Sequence, residues 1–493
     1  MAKAKAPVET IAKNSNKSNQ KTQTKAAKNI VPYADSARFA EWMREHVWLS
    51  VVAGGKGTRL WPISHSDRPK QFIISPGIPE ILKDAWYKEN VSSTLKGFGL
   101  PDDEDTEYTF IQRTVRRFVA GGINPKHVVV LVTNDRQEEL VREQLIHMGV
   151  LDVNIMKVSE HYGYAGAMIK MTEFIYKLDK DAVIVNTPAD HYTLPSENFY
   201  KTVNLAIENA NKGFATIVGL VIRDSVMAQG LGHAIFDNKE AVIAKRVISF
   251  VEKPDGERAE ELVRQDNSAG NTGINVWRAD MLLRVIKKAK IDIEEIAKRE
   301  LSDGLDTSEL MKAFTDSNSL DVVRGDFWWR DAGTLSSLHE IMKELNDKTT
   351  HNNTRLGGGI TIRENCENNL FFTESRVIVE ALNLKDFEVS TKWISKDDTL
   401  VVSVVNHKST QKTKKAAEEF SKVLETNSIS IEAENNRVVP SYVGAKLVCS
   451  FVGVNNVEVS ATKVSTSLLS RALGVEKITL HEEEVILIKV AQH

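Results

Sequence analysis

Residues 50–72 read SVVAGGKGTRLWPISHSDRPKQF: an apolar segment runs into three glycines, with two arginines and two lysines close by. A short, β-branched apolar run bounded by glycine reads as a buried strand. Glycines at its end let the backbone turn tightly and bring several N–H groups against a ligand with no Cβ in the way. That arrangement suits phosphate. It differs from the Walker pattern, which ends in Gly-Lys-Ser/Thr, and from the spacing of the dinucleotide fingerprint. Taken alone, such a stretch is as readily a plain turn, so the rest of the chain has to decide.

Outward from it, similar runs recur: VWLSVVAG (47–54), HVVVLVTN (127–134), DAVIVNT (181–187), FATIVGLV (214–221) and RVISFVEK (246–253). Amphipathic segments lie between them, such as DRQEELVREQLIHMG (135–149), opened by a capping Asp135 and closed by a glycine. This alternation predicts an α/β domain over about 47–345, a mostly parallel mixed sheet covered by helices. Residues 73–108, with Pro, Gly and an acidic cluster, interrupt the rhythm and read as an inserted surface excursion. Beyond 351 the texture changes to short β-type runs separated by polar turns, predicting a small β-domain or solenoid-like unit over 346–405. A lysine-rich amphipathic helix (409–426) then leads into a separate α+β extension covering 406–493.

With 493 residues, 42% of them hydrophobic, the chain buries a substantial core and divides into two or three units. A net charge of -3 excludes a globally basic nucleic-acid binder. Residues 1–30 carry seven lysines against the single acid Glu9, and 1–46 read as a disordered basic tail plus a lead-in. Nucleic-acid contact is expected there if anywhere. Two distant cysteines, Cys366 and Cys449, rule out a disulfide framework and fit a reducing cytoplasm. No stretch approaches the ~18 apolar residues of a membrane span.

Three further segments carry chemistry. NTPADHY (186–192) ends a buried run at Asp190, and FWWRDAGT (327–334) sets Asp331 between aromatics and a glycine. Carboxylates at strand ends of an α/β sheet lie where such folds hold ligands, and two of them can share one Mg²⁺ with substrate phosphates. Each alone is more readily a turn or cap residue than a ligand; with the glycine loop they make a site. In SFVEKPD (249–255), Glu252 and Lys253 point to opposite faces of a regular strand, so both reach one ligand only if the chain bends there. Otherwise they form a surface ion pair.

Gly-Gly-x-Gly-Thr-Arg-Leu-Trp-Pro (54–62) followed by Pro-Lys-Gln-Phe (69–72) resembles the signature of the mannose-1-phosphate guanylyltransferases, within the sugar nucleotidyltransferases. IQRTVRRF (111–118), VTNDRQEELVREQL (132–145), PADH (188–191), FVEKPD (250–255), NTGINVWRAD (271–280) and WRDAGTLSSL (329–338) match in the family's order. The resemblance covers about 47–405 and implies a Rossmann-like, glycosyltransferase-A-like fold. It also implies Mg-assisted transfer of a nucleotidyl group from a triphosphate, GTP first, to a sugar 1-phosphate, mannose 1-phosphate first. By resemblance Ala53, Gly54, Gly55, Gly57, Thr58 and Arg59 hold the triphosphate, with Glu160, Ala165 and Gly166 near base and ribose. Lys70 reaches the phosphates, and Asp190 and Asp331 carry Mg²⁺. Gly232, Glu252, Lys253 and Asn271 hold the sugar phosphate.

Departures from the pattern bear on specificity. Where these enzymes read Glu-Pro-x-x-Arg-Asn-Thr-Ala, this chain has EHYGYAGA (160–167), which is also similar to the Gly-Thr-Ala-Gly-Ala of relatives using other bases. The sugar-side GYGYI becomes GLGHAI (230–235). Another base or hexose, and a non-catalytic nucleotide-sugar binder, therefore stay open. No His-x-His occurs, which excludes the metal-dependent isomerase unit of bifunctional relatives. The β-domain and the terminal segment offer surfaces for a homo-oligomer.

Overall fold

A computed structural model describes residues 36–333 apart from 56–63, 65–67, 79–82, 103–107, 239–242, 297, 299–304 and 306, then parts of 337–345. Between 354 and 492 it describes the strands given below with residues 369 and 384. The basic tail, the loop residues Gly57, Thr58 and Arg59, and the stretch 409–426 lie outside the described residues, as does the side chain of Glu160.

The first part of the chain holds strands β1 (Val47–Val52), β2 (Val128–Val132), β3 (Asn154–Lys157), β4 (Val183–Pro188), β5 (His191–Thr193) and β6 (Ala215–Leu220). They are followed by β7 (His233–Phe236), β8 (Ala244–Val251), β9 (Ser268–Arg278), β10 (Leu320–Gly325) and β11 (Trp329–Asp331). Its helices of ten residues or more are α1 (Ser36–His46), α2 (Phe110–Ala120), α3 (Asp135–His147), α4 (Gly163–Leu178), α5 (Glu197–Asn211), α6 (Ala279–Ala289) and α7 (Thr307–Asp316).

Nine strands form one mixed sheet in the order β3-β2-β1-β4-β9-β6-β10-β8-β7, parallel from β3 through β4 and again between β6 and β10. The five runs expected as strands are strands here. Strand β9, antiparallel to both β4 and β6, was not among them. Its buried positions include Ser268, Asn271, Thr272 and Asn275, so it lacks the apolar run that marks its neighbours.

Alternation along the strands builds two cores. Val47, Leu49 and Val51 of β1, with Val128, Val130 and Val132 of β2, join Ile111 and Val115 of α2 and Phe199 and Val203 of α5 on one face. Trp48, Val129, Leu131 and Ile184 point the other way, against Met168, Ile169 and Met171 of α4, Leu282 of α6 and Phe314 of α7. Helices on both faces explain why these strands read as continuous apolar runs. Two details differ from expectation. The cap of α3 is Asn134, whose extended backbone lets its side chain accept from the Gln137 amide, so Asp135 becomes the first helical residue. The 73–108 segment belongs to the core, since its helical turns over 85–97 bury Tyr87, Val91 and Leu95.

The remaining strands are β12 (Thr354–Leu356), β13 (Ile360–Glu364), β14 (Leu370–Phe372), β15 (Val377–Leu382), β16 (Phe387–Ile394), β17 (Thr399–Asn406), β18 (Arg437–Val439), β19 (Lys446–Val452), β20 (Val457–Ser465) and β21 (Glu484–Gln492). They form two five-stranded sheets, β12-β14-β16-β17-β19 and β13-β15-β21-β20-β18, with the parallel rungs of a solenoid where β12 to β16 alternate between them. A boundary at 405 does not survive: β19 pairs with β17, and β21 lies between β15 and β20. Residues 437–492 thus complete the sheets begun at 354. No helix among the described residues is long and apolar enough to cross a membrane.

Leu49 is fully buried on β1, an inner strand of the large sheet. Leu49→Ala is expected to cost about 2–5 kcal/mol, read from urea unfolding, whereas a cost near zero would refute its place in the core.

Candidate active site

In the parallel part of the sheet the chain steps from β1 outward to β2 and β3, then returns to β4 on the other side of β1. Neighbouring strands that send their following segments in opposite directions leave a crevice at their carboxyl ends, where open α/β sheets bind ligands. The glycine-rich turn leaves β1 at this point and Asp190 follows β4. Backbone hydrogen bonds carry both segments beyond the strands: the Ala53 amide donates to the Leu131 carbonyl at 2.9 Å, and the Ala189 amide to the Val52 carbonyl at 3.1 Å.

Pro-Lys-Gln-Phe supplies the other wall. Pro69 precedes a single 3-10 turn, Lys70–Phe72, with all three of its side chains buried. The Gln71 side-chain amide donates to the Gly55 carbonyl at 3.1 Å and to the Ala53 carbonyl, pinning the glycine turn. From the far side, the Thr133 hydroxyl donates to the Gly54 carbonyl at 3.3 Å. Gln71 was not anticipated as a site residue, although it stood in the quoted motif.

Lys70 sits one residue away, and its surroundings differ from the expected phosphate contact. Its Nζ lies 2.9 Å from Asp190 Oδ2 and 3.4 Å from Asp331 Oδ1. Asp331 reaches this point because β11 pairs with β5, placing Asp331 opposite His191. One ammonium thus bridges two carboxylates that lie far apart in the sequence. A Cβ on Gly333 would fall 2.7 Å from Asp331 Oδ2, so only glycine leaves that carboxylate its place.

The electrostatics follow from this geometry. Burial alone would raise the Asp190 carboxyl; Lys70, aided by His191, overrides it and holds the group down at about 2. His191 is lowered by burial, against the pull of Asp190 and Asp331. Tyr164, on the first turn of α4, has a buried hydroxyl with no hydrogen-bond partner; burial, and then the Asp190 charge, raise its pKa. Neither His191 nor Tyr164 was anticipated: His191 stood beside Asp190 in the quoted PADH segment, whereas nothing local in the sequence says that Tyr164 lies near Asp190.

The donor set fits a magnesium ion. Hard carboxylate oxygens from two residues, both within reach of one cation, are what Mg²⁺ takes when waters and substrate phosphates complete its octahedron. No group of three or more His, Cys, Asp or Glu that could hold a metal occurs among the described residues, so an all-protein cage is not built from them.

The residues expected at the sugar phosphate also meet. The Asn271 amide donates to the Gly232 carbonyl at 2.7 Å, and a Cβ on Gly232 would lie 2.7 Å from Glu252 Oε2. The chain does bend after β8: Lys253 has φ of 40° and its Nζ comes within 3.3 Å of Glu252 Oε1. The bend that reaching one ligand would need is present, and on it the two side chains form a surface ion pair. Two residues beyond Asn271, Gly273 packs against Pro188 and His191, a closeness that links the sugar-side cluster to the carboxylates. The base-side expectation fares differently. The Ala165 amide already donates to the Leu305 carbonyl at 3.1 Å, and Gly166 is packed beneath Tyr162. Both support α4 from inside.

A family model described as nucleotidyl transferase matches residues 105–348. Among curated proteins, the alginate biosynthesis protein AlgA of Pseudomonas syringae pv. tomato is 26% identical over 324 residues, 62% of this chain and 60% of the relative. The chain thus spans about three fifths of that relative's length. A mannose-1-phosphate guanylyltransferase of Escherichia coli is 25% identical over 377 residues, 72% of this chain and 71% of its own. Among solved structures, one described as mannose-1-phosphate geranyltransferase from Thermus thermophilus is 21% identical with a TM-score of 0.56. It covers 76% of this chain and 99% of that one, and agrees in fold.

A carboxyl held below its ordinary value of 3.8 contributes stability that is present above that value and lost as pH falls towards about 2. Lys70→Met is expected to raise the Asp190 titration and flatten this acid-side slope, measured by NMR of the carboxyl carbon and by denaturation at several pH values. An Asp190 titration that did not move would contradict the bridge.

Proposed function

Because residues 105–348 match a nucleotidyl transferase domain, we propose that this chain transfers a nucleotidyl group from a nucleoside triphosphate to a sugar 1-phosphate. GTP and mannose 1-phosphate are the pair the reading puts first, with GDP-mannose and pyrophosphate as products. The observation that carries it is the convergence of the turn after β1, Asp190 after β4 and, through β5–β11 pairing, Asp331 on one crevice.

A sugar-phosphate oxygen attacks the α-phosphorus in line, and the bond to the bridging oxygen breaks to release pyrophosphate. The attacking group is already ionised, so no general base is required. Catalysis is then mostly positioning and charge neutralisation. Amides of the glycine turn, with Arg59, hold the triphosphate and steady the leaving pyrophosphate. Lys253 grips the sugar phosphate, while Glu252 accepts from sugar hydroxyls and the Asn271 side-chain NH₂ donates to them. Asp190 and Asp331 would hold Mg²⁺. When bound, it supplies positive charge between the two polyanions. Lys70 holds Asp190 in its charged form and sits between the two carboxylates, a positioning role in place of the phosphate contact first expected.

A second reading concerns the substrate pair. With the Ala165 amide already bonded and Gly166 packed under Tyr162, these two positions expected beside the base are taken up inside the fold, which favours another base or hexose with the same chemistry. The reading sets the enzyme in the cytoplasm, where triphosphates are present, and leaves the strands of 354–492 for self-association.

A panel of triphosphates and sugar 1-phosphates with Mg²⁺, followed by pyrophosphate release and product mass, tests both. One pair is expected to turn over, and Asp190→Ala or Asp331→Ala to reduce kcat by about 10²-fold or more. Silence across the panel with retained nucleotide-sugar binding would favour a non-catalytic binder instead.

A further inference from the structure

Two tyrosines stand close together where α4 begins, and their hydroxyls differ. That of Tyr162 donates to Glu294 Oε2 at 3.2 Å. That of Tyr164 is buried and makes no hydrogen bond. An unpaired buried hydroxyl is costly, and most such groups in folded proteins find a partner. The reaction proposed above makes no use of it.

The backbone holds Tyr164 in place from both sides. The Leu305 amide donates to the Tyr162 carbonyl at 3.2 Å, and the Ala165 amide donates to the Leu305 carbonyl at 3.1 Å. Between these two bonds Gly163 turns the chain into the helix with φ of 66°, a conformation that suits glycine. The Tyr164 ring packs against the core beneath α4, as Val52 at the end of β1 does.

Topology puts this first turn at the crevice. Helix α4 runs from the carboxyl end of β3 back to the amino end of β4, and both strands are parallel to β1 and β2. Its first turn therefore stands at the carboxyl ends of the strands, where Asp190 follows β4. Burial, and then the charge of Asp190, hold the Tyr164 hydroxyl in its protonated form, with a proton to donate. No bond to Asp190 or to any other group takes that proton up. The oxygens that nucleotidyl transfer brings to Asp190 are those of phosphate, which accept hydrogen bonds well.

We propose that Tyr164 is a substrate-contacting residue whose hydroxyl donates to a phosphate oxygen of the bound nucleotide beside Asp190. The proposal rests on the transferase reading and adds a residue to it. The pattern of the resembling enzymes has arginine at this position, so the contact belongs to this chain's own sequence.

Tyr164→Phe removes the hydroxyl and keeps the ring. Calorimetry of the full chain with Mg²⁺ and, in separate arms, GTP, ATP, UTP and CTP is expected to show binding of at least one triphosphate. Tyr164→Phe is expected to weaken that binding about tenfold. The free variant is expected to melt at or above the wild-type temperature, because phenylalanine leaves no buried donor unpaired. The ³¹P signal of the bound α-phosphate is expected to differ between the two proteins. Tyr162→Phe, which loses the hydroxyl paired with Glu294, is expected to leave the affinity unchanged. Equal affinity in the wild type and Tyr164→Phe, or an unchanged ³¹P spectrum, overturns the proposal and leaves the transferase reading standing. So does a Tyr164→Phe protein that melts well below the wild type, or an equal loss of affinity in Tyr162→Phe; either would make the effect one of helix packing. Failure of every triphosphate to bind the wild type overturns the transferase reading and this contact with it.

Discussion

The Lys70 ammonium, held between the Asp190 and Asp331 carboxylates, is the contact on which the rest of the crevice depends. Burial alone would raise the Asp190 carboxyl, and the Lys70 ammonium is the charge that overrides it. Lys70, 4% exposed, supplies that charge at 2.9 and 3.4 Å. The result is a pair of carboxylate oxygen donors brought to one cation at one point of the crevice.

Holding that triangle requires three separate pieces of backbone. The single turn at Lys70–Phe72 orients the lysine; the β1–β4 neighbourhood delivers Asp190; the short β5–β11 ladder delivers Asp331. Gln71 couples the first piece to the glycine turn by donating to the carbonyls of Ala53 and Gly55. Positioning of this sort is what phosphoryl-type transfer asks of a protein, since the substrates bring the reacting groups themselves. The polar residues that look misplaced in a core follow from the same demand. Asn186, Asn275 and Tyr164 each leave a buried polar atom without a partner around the crevice, a cost that natural folds carry mainly where a site needs those atoms.

Much of this was legible in the residues. The apolar runs of β1, β2, β4, β6 and β8 announced themselves because most are buried on both faces, which leaves no polar alternation to confuse the reading. The glycine turn, Lys70, Asp190, Asp331 and the Glu252–Lys253 pair stood out because each interrupts or follows an apolar stretch with a residue of different chemistry. What escaped had no local signal. Strand β9 carries asparagines, glycines and threonine where its neighbours carry valine, and its place between β4 and β6 is set by pairing alone. The split at 405 failed for a similar reason: a strand at 484–492 completing a sheet begun near 360 leaves no mark within either segment.

By itself, then, the sequence determined which residues are buried, where the chain turns and which charged groups lie at strand ends, because burial and turning depend on neighbours a few positions away. Only the tertiary structure decided who faces whom. It brought Lys70 to two carboxylates instead of leaving it for phosphate, turned Ala165 inward onto the Leu305 carbonyl, and set the Tyr164 hydroxyl in the field of Asp190. Those outcomes depend on strand order and register, which couple residues far apart in the chain through hydrogen bonds that no local pattern encodes.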